Sequence, residues 1–284
     1  MSIFLLTMQY NETLCLPVFM RHYSRYFSRD RIFIIDHGSD ADLTPPGCNR
    51  IFVPRDRPFS ERARMRLIRA IASGLLEYFD AGVFVDCDEL INLDALRDFG
   101  PDDTPVRYVA GFDVFAADTS NGKRLLGYLT PQSCKASVFA KTPHWVLGFH
   151  GCDHPAGTLS MPMAHIRFMF HEQSAQRLLA RIPVRRGMAN DEAEEGIAAQ
   201  WADGDAEFRA FFRFVGGLGR RQAKILRFSP IDAGPMFQAH MTPPDAHPGR
   251  VIYRPNGYSP APDALFDLTE YFPGLLEEFK TANG

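Results

Sequence analysis

Short apolar runs alternate with helix-like segments along the N-terminal part of this 284-residue chain. The apolar runs of strand length are residues 3–7, 31–35, 51–53 and 82–85. Helical patterns occupy residues 12–27 and 60–79, and Ser60 offers an N-cap for the second of them. This alternation is typical of a parallel sheet wrapped by helices. We therefore expect the α/β class.

An acidic turn, Asp86-Cys87-Asp88-Glu89, directly follows the apolar run at residues 82–85. Ligands of open α/β sheets bind at the carboxyl ends of strands, and burying carboxylates there is costly without a cation. Hard carboxylate oxygens suit Mn²⁺ or Mg²⁺, which would also bind the phosphates of a nucleotide diphosphate. The sequence therefore predicts Asp86 and Asp88 as metal ligands, with the ion stabilising a departing diphosphate.

Composition limits the kinds of partner. The net charge of −3 gives no basic footprint, so we expect no nucleic-acid partner. Five cysteines in no metal-finger spacing indicate reduced thiols and a cytoplasmic location. No apolar run approaches the roughly 20 residues of a transmembrane helix, although peripheral attachment to the inner membrane stays open. The oligomeric state is not readable from the sequence.

Four motifs occur in one order along residues 1–175. Asn11-Glu12 follows the first strand and Asp36-His37-Gly38-Ser39 the second, and an arginine-rich helix precedes the acidic turn. This order resembles family 2-like glycosyltransferases, in the branch whose patterns read K-N-E, D-N-G-S-x-D and D-x-D-E-F. The resemblance implies a GT-A fold, a Rossmann-like mixed, mostly parallel sheet flanked by helices. The chain departs from the pattern at Gln9-Tyr10, in place of a basic residue, and at His37.

The resemblance also implies a donor site. Its residues, which would bind the nucleotide sugar, are Asn11, Glu12, Asp36, Arg64 and Asp86. Asp36 would recognise the base, and Arg64 matches the arginine of an A-R-N helix pattern, although Met65 replaces the asparagine.

A histidine late in the catalytic domain completes the metal shell in related transferases. His154 or His150, in the segment 148–154, would be that ligand, and we expect His165 to be structural. An inverting transfer needs a carboxylate base on the face opposite the leaving group, for which Asp153 and Asp113 are the candidates.

The pattern loosens beyond residue 96. Strands are predicted at 108–112 and 137–140, helices at 172–182, 191–214 and 265–280, and a proline-rich segment spans 239–262. We expect a GT-A domain over residues 1–185 and a helical or irregular extension over 186–284, packed on the same domain.

The expected function is a metal-assisted, inverting transfer of a sugar from a nucleotide-diphosphate donor to a hydroxyl of a glycan or small molecule. Bacterial surface glycans are the usual products of the family. Two alternatives stay open. A nucleotidyltransferase would normally carry a glycine-rich, basic phosphate loop after the first strand, and Gln9-Tyr10-Asn11-Glu12 provides none. The other alternative is a non-catalytic carbohydrate-binding protein.

Overall fold

The structure is a computed structural model that describes residues 1–98, 104–120, 122–169, 209–214, 223–241 and 250–282, with the single positions 174, 176, 179 and 217. In this part of the chain the numbered helices are α1 (Cys15–Tyr23), α2 (Glu61–Leu75) and α3 (Leu275–Ala282). The strands of the N-terminal half are β1 (Ile3–Gln9), β2 (Ile32–Asp36), β3 (Asn49–Phe52), β4 (Ala81–Phe84), β5 (Glu89–Ile91), β6 (Val106–Thr119), β7 (Gly122–Leu129) and β8 (Lys135–Phe139). The later strands are β9 (Thr158–Leu159), β10 (Pro162–His165), β11 (Lys224–Arg227), β12 (Ile231–Asp232), β13 (Phe237–Met241), β14 (Val251–Pro255) and β15 (Ala264–Asp267).

Eleven of the described strands form one mixed sheet. Its main path runs β11-β15-β7-β6-β8-β4-β1-β2-β3, and β10 joins at the side by pairing with β5 and β6. The strands β4, β1, β2 and β3 are parallel, whereas β8 lies antiparallel beside β4. The expected α/β class with a mixed sheet is therefore confirmed. The carboxyl ends of β1, β2 and β4 lie at one side of the sheet, which we call the carboxyl edge.

Local sequence explains why the parallel strands and α2 form where they do. All four residues of β4 are buried, as expected for a central strand covered on both faces. At Gly82 an added Cβ would lie 2.4 Å from the Phe4 ring, so only glycine allows this close packing. The Ser60 hydroxyl accepts a hydrogen bond from the Ala63 amide at 3.0 Å and caps α2, as predicted. The helix ends at Leu75, four residues before the predicted end.

The C-terminal part differs from the prediction. Residues 264–267 form β15, which pairs with β7 and β11 in the main sheet, where a helix was predicted to begin at residue 265. A four-residue apolar run is compatible with either structure, and strand pairing decides between them. The predicted extension was also helical or irregular, yet the proline-rich segment contains β14 and the end of β13. Strands from both sides of the predicted boundary at 185 thus share one sheet.

Two predicted helices fall mostly outside the described residues. The helix at 172–182 lies there apart from single positions, and of the helix at 191–214 the structure describes residues 209–214, which are helical. Among the described helices, none combines the length and the apolar character that crossing a membrane requires.

Candidate functional site at the carboxyl edge

The acidic turn leaves the end of β4 and leads into β5. Two hydrogen bonds close it: the Glu89 amide donates to the Asp86 carbonyl at 3.0 Å, and the Asp86 amide donates to Glu89 Oε2 at 3.1 Å. The Cys87 side chain is buried with its sulfur 3.4 Å from Thr7 Oγ1, so it points into the fold. The turn therefore presents Asp86 and Asp88 from a fixed backbone.

Two cationic side chains hold the Asp86 carboxylate. Arg64 of α2 contacts Asp86 Oδ1, and Lys135 at the start of β8 places Nζ 2.7 Å from Asp86 Oδ2. Lys135 Nζ also lies 2.6 Å from Glu89 Oε1, and the lysine side chain is only 5% exposed. Burial opposes ionisation of Asp86, but Arg64 and Lys135 outweigh it and hold the pKa of that carboxyl below its usual range. Asp86 is therefore a charged group within a buried ion-pair cluster.

Two further contacts, with Glu61 and Phe149, hold the Arg64 side chain in place. Its Nη1 donates to Glu61 Oε1 at 2.6 Å, one turn earlier on α2, and its guanidinium lies over the Phe149 ring at 5.0 Å from the centroid. Burial lowers the pKa of Arg64, whereas Asp86 and Glu61 raise it by more, so the guanidinium stays charged. The sequence placed Arg64 near the donor site, and the structure brings it to Asp86.

A second chain of charged groups begins at Asp88. His165 Nε2 is 3.6 Å from Asp88 Oδ2, and His165 Nδ1 is 3.0 Å from Asp113 Oδ1. Arg167 closes the far end, with Nη2 at 2.9 Å from Asp113 Oδ2. The strand β10 makes this possible, because it lies between β5 and β6 with His165 opposite both Glu89 and Asp113.

Each ionised side chain in this second chain stabilises the ionised form of its neighbour. Burial lowers the pKa of His165, but the Asp113 and Asp88 carboxylates outweigh it and raise the pKa to about 8. Burial raises the pKa of Asp113, yet Arg167 and His165 lower it to about 2. A carboxylate with so low a pKa is a weak base. The contacts of Asp113 therefore favour orienting His165 over accepting a proton from an acceptor hydroxyl.

The two histidines predicted as metal ligands lie in different surroundings. Burial lowers the pKa of His150 to about 3. The charges of Lys135 and His165 also lower this pKa, whereas the charge of Asp86 raises it. Its Nδ1 is buried and has no hydrogen-bond partner among the described residues. The charges of the acidic-turn cluster thus reach His150, whereas His154 contacts Asp153, with Nε2 3.8 Å from its Oδ1, and also Tyr108 and Cys152.

Asp153 belongs to a cluster around His144. It accepts hydrogen bonds from the His144 amide and from Arg250 Nη1, each at 2.9 Å, and lies 2.9 Å from His144 Nδ1. Burial alone would raise the pKa of Asp153, but His144 and the charge of His154 lower it. The structure therefore groups Asp153 with His144 and Arg250, and groups Asp113, the other candidate base, with His165.

The predicted donor residues lie at the ends of β1 and β2. Asn11, with φ of 48°, exchanges hydrogen bonds with Asp40 at 2.8 and 2.9 Å, which ties the two loops together. Glu12 Oε1 accepts from the amide of Cys15, the first residue of α1, at 3.0 Å. The fully buried Asp36 accepts from the Ser39 amide at 3.0 Å and from Arg50 Nη2 at 2.6 Å. These three residues share the carboxyl edge with the acidic turn.

The donor chemistry fits the expected Mn²⁺ or Mg²⁺ only in part. Within the described residues, no group of three or more His, Cys, Asp and Glu side chains is arranged to hold a metal ion. Both Asp86 oxygens already contact cations, which does not fit the predicted role of a metal ligand. Asp88 offers the hard oxygen that such an ion prefers, and His165 stands beside it.

Two site residues had no functional role in the sequence prediction. Lys135 was not assigned any role, and His165 was expected to be structural. Their only signal is that each is the single titratable residue of a mostly apolar segment, Lys135 at the start of residues 135–140 and His165 near the end of residues 161–166. Their approach to the acidic turn depends on which strands pair, and a local pattern does not encode that.

No family model matches this sequence, and no curated protein matches it either. Assignment of a function therefore depends on the geometry of the site and on the motif order of the sequence.

Proposed function

We propose that the protein is a glycosyltransferase that transfers a sugar from a nucleotide-diphosphate donor to a hydroxyl acceptor. The observation that carries the proposal is the acidic turn at the carboxyl end of β4, beside the loops that follow β1 and β2. The order β3-β2-β1-β4 matches the first four strands of the doubly wound order 3-2-1-4-5-6, and such folds bind nucleotides at the carboxyl ends of the strands where this order reverses. It supports a GT-A arrangement and the resemblance to family 2-like glycosyltransferases.

The residues of the site have separable tasks in this proposal. Arg64, which reaches the acidic turn from α2, offers a planar guanidinium of the kind that binds phosphate oxygens. Asp88 and His165 would hold Mn²⁺ or Mg²⁺, which would act as a Lewis acid on the departing diphosphate. Asp113 orients His165 through the 3.0 Å contact to Nδ1. Asn11, Glu12 and Asp36 shape the loops against which the nucleoside binds.

The partners follow from the same proposal. The donor is a nucleotide sugar, and the acceptor is a glycan or another hydroxyl compound. Inversion at the transferred carbon belongs to the proposal through the family resemblance alone. A cytoplasmic location is proposed from the five cysteines in no metal-finger spacing, and peripheral contact with the inner membrane is compatible with it.

Release of nucleoside diphosphate tests the proposal. The full chain is incubated with UDP-, GDP- and dTDP-sugars and Mn²⁺, and the nucleoside diphosphate is measured. We expect release with donors of one base, lowered at least about tenfold by Asp88→Asn. The matched control is Asp263→Asn, an exposed carboxylate before β15, which should stay within about twofold of the wild type. Release from no donor, or equal rates with Asp88→Asn, contradicts the proposal. Pyrophosphate release from a nucleoside triphosphate and a sugar phosphate would indicate a nucleotidyltransferase.

A further inference from the structure

Lys135 occupies the place at the acidic turn where a bound cation would be expected. Its ammonium lies between two carboxylates, 2.7 Å from Asp86 Oδ2 and 2.6 Å from Glu89 Oε1. The remaining Asp86 oxygen contacts Arg64, and the remaining Glu89 oxygen accepts the Asp86 amide. All four carboxylate oxygens of Asp86 and Glu89 therefore already have a partner.

The charges at this position compensate one another except for one negative charge. Lys135 and Arg64 bring two positive charges, and Asp86, Glu89 and Glu61 bring three negative ones. The side chains of Lys135 and Glu89 are 5% and 2% exposed, so water does little to screen them. Adding a divalent ion at Asp86 would place it against a buried ammonium, and repulsion between the two would oppose binding.

We infer that Lys135 and Arg64 are built-in cations, which supply at Asp86 the positive charge that a divalent ion would otherwise bring. Asp86 is then not a ligand of such an ion. Removing the ammonium should open Asp86 and Glu89 to a metal. The inference rests on the proposed function, which assigns the acidic turn to a nucleotide-sugar site. Its test measures metal binding by the chain without nucleotide, so it can fail while sugar transfer stands, and the reverse.

The first experiment compares Mn²⁺ affinity in Lys135→Met and in the wild type. Methionine keeps much of the side-chain volume and removes the charge. Free Mn²⁺ is measured by electron paramagnetic resonance during titration of the full chain, and the control is Lys141→Met, an exposed lysine just after β8. We expect Lys135→Met to bind Mn²⁺ at least tenfold more tightly than the wild type, and Lys141→Met to match the wild type. A folded Lys135→Met with wild-type affinity overturns the inference.

The second experiment does not depend on the folding of that variant. It compares Asp86→Asn with Asp88→Asn in the same titration. We expect Asp88→Asn to weaken Mn²⁺ binding more than Asp86→Asn does. A loss in Asp86→Asn as large as that in Asp88→Asn, or larger, overturns the inference. If the wild type shows no measurable Mn²⁺ binding, the comparison with Lys135→Met decides, and a folded Lys135→Met that also fails to bind Mn²⁺ overturns the inference.

Discussion

Acidification should destabilise the protein through His22, a histidine buried in α1. It is 9% exposed, and its Nε2 donates to the Ile91 carbonyl at 2.7 Å. The rings of Tyr23, Tyr26 and Phe272 surround it, with centroids 4.8 to 5.8 Å away. Burial lowers the pKa of His22 from 6.5 to about 4, because the imidazolium loses its hydration there.

The sign and size of the effect follow from this shift. Between pH 6.5 and 4 the unfolded chain binds a proton at His22 that the folded chain does not, so the free energy of unfolding falls as the pH falls. The shift corresponds to about 3 kcal/mol in all, of which about 2 kcal/mol is lost between pH 7 and 5. Above pH 7 the His22 contribution is constant.

Urea unfolding at pH 7 and pH 5, followed by tryptophan fluorescence, measures the loss. In His22→Gln the loss between these pH values should be smaller than in the wild type by about 2 kcal/mol. His240→Gln, at an exposed position in β13, should lose as much as the wild type. His37 and His150 also have lowered pKa values, but they are present in all three proteins and cancel in the comparison. An equal loss in His22→Gln and the wild type would refute the reasoning.

Three substitutions test the packing that positions the site, each by urea unfolding at pH 7. Gly111→Ala should destabilise by about 3 kcal/mol, because its Cβ would lie 2.1 Å from the Ser133 carbonyl oxygen; a loss under about 1 kcal/mol contradicts this contact. Gly74→Ala should stabilise by about 0.5–1 kcal/mol, since this exposed position of α2 has no atom near the added Cβ; destabilisation contradicts the helix there. Ser60→Ala should cost about 1 kcal/mol through loss of the cap, whereas Ser60→Thr, the control, should keep most of it.

The parallel part of the sheet could be predicted because its signals are local. β1, β2 and β4 are continuous apolar runs, and α2 begins with a serine cap that the structure contains. β15 could not be assigned in this way. Its four residues extend into a helix-like pattern, and their strand conformation depends on pairing with β7 and β11. Such pairing can override local propensity.

The same division applies to the candidate site. The position of Asp86 and Asp88 after a buried strand was readable from the sequence. The partners of these carboxylates were not, because Lys135 comes from an antiparallel strand beside β4 and His165 from β10, which reaches the turn through β5. For His154 and Asp153, closeness in sequence did not predict the contacts in the structure. They are close to His150 in sequence, yet Asp153 pairs with His144 and Arg250, and His154 lies 3.8 Å from Asp153. The charges that act on His150 are instead those of Lys135, Asp86 and His165.

Binding of nucleoside diphosphates tests the central claim that the acidic turn belongs to a nucleotide-sugar site. The measurement is the shift in melting temperature of the full chain with UDP, GDP, dTDP or ADP, each with and without Mn²⁺. A ligand that binds only the folded chain raises this temperature with its concentration. We predict a rise for one base, reduced in Asp88→Asn and retained in Asp263→Asn. No rise with any diphosphate, or an equal rise in Asp88→Asn, would contradict the assignment.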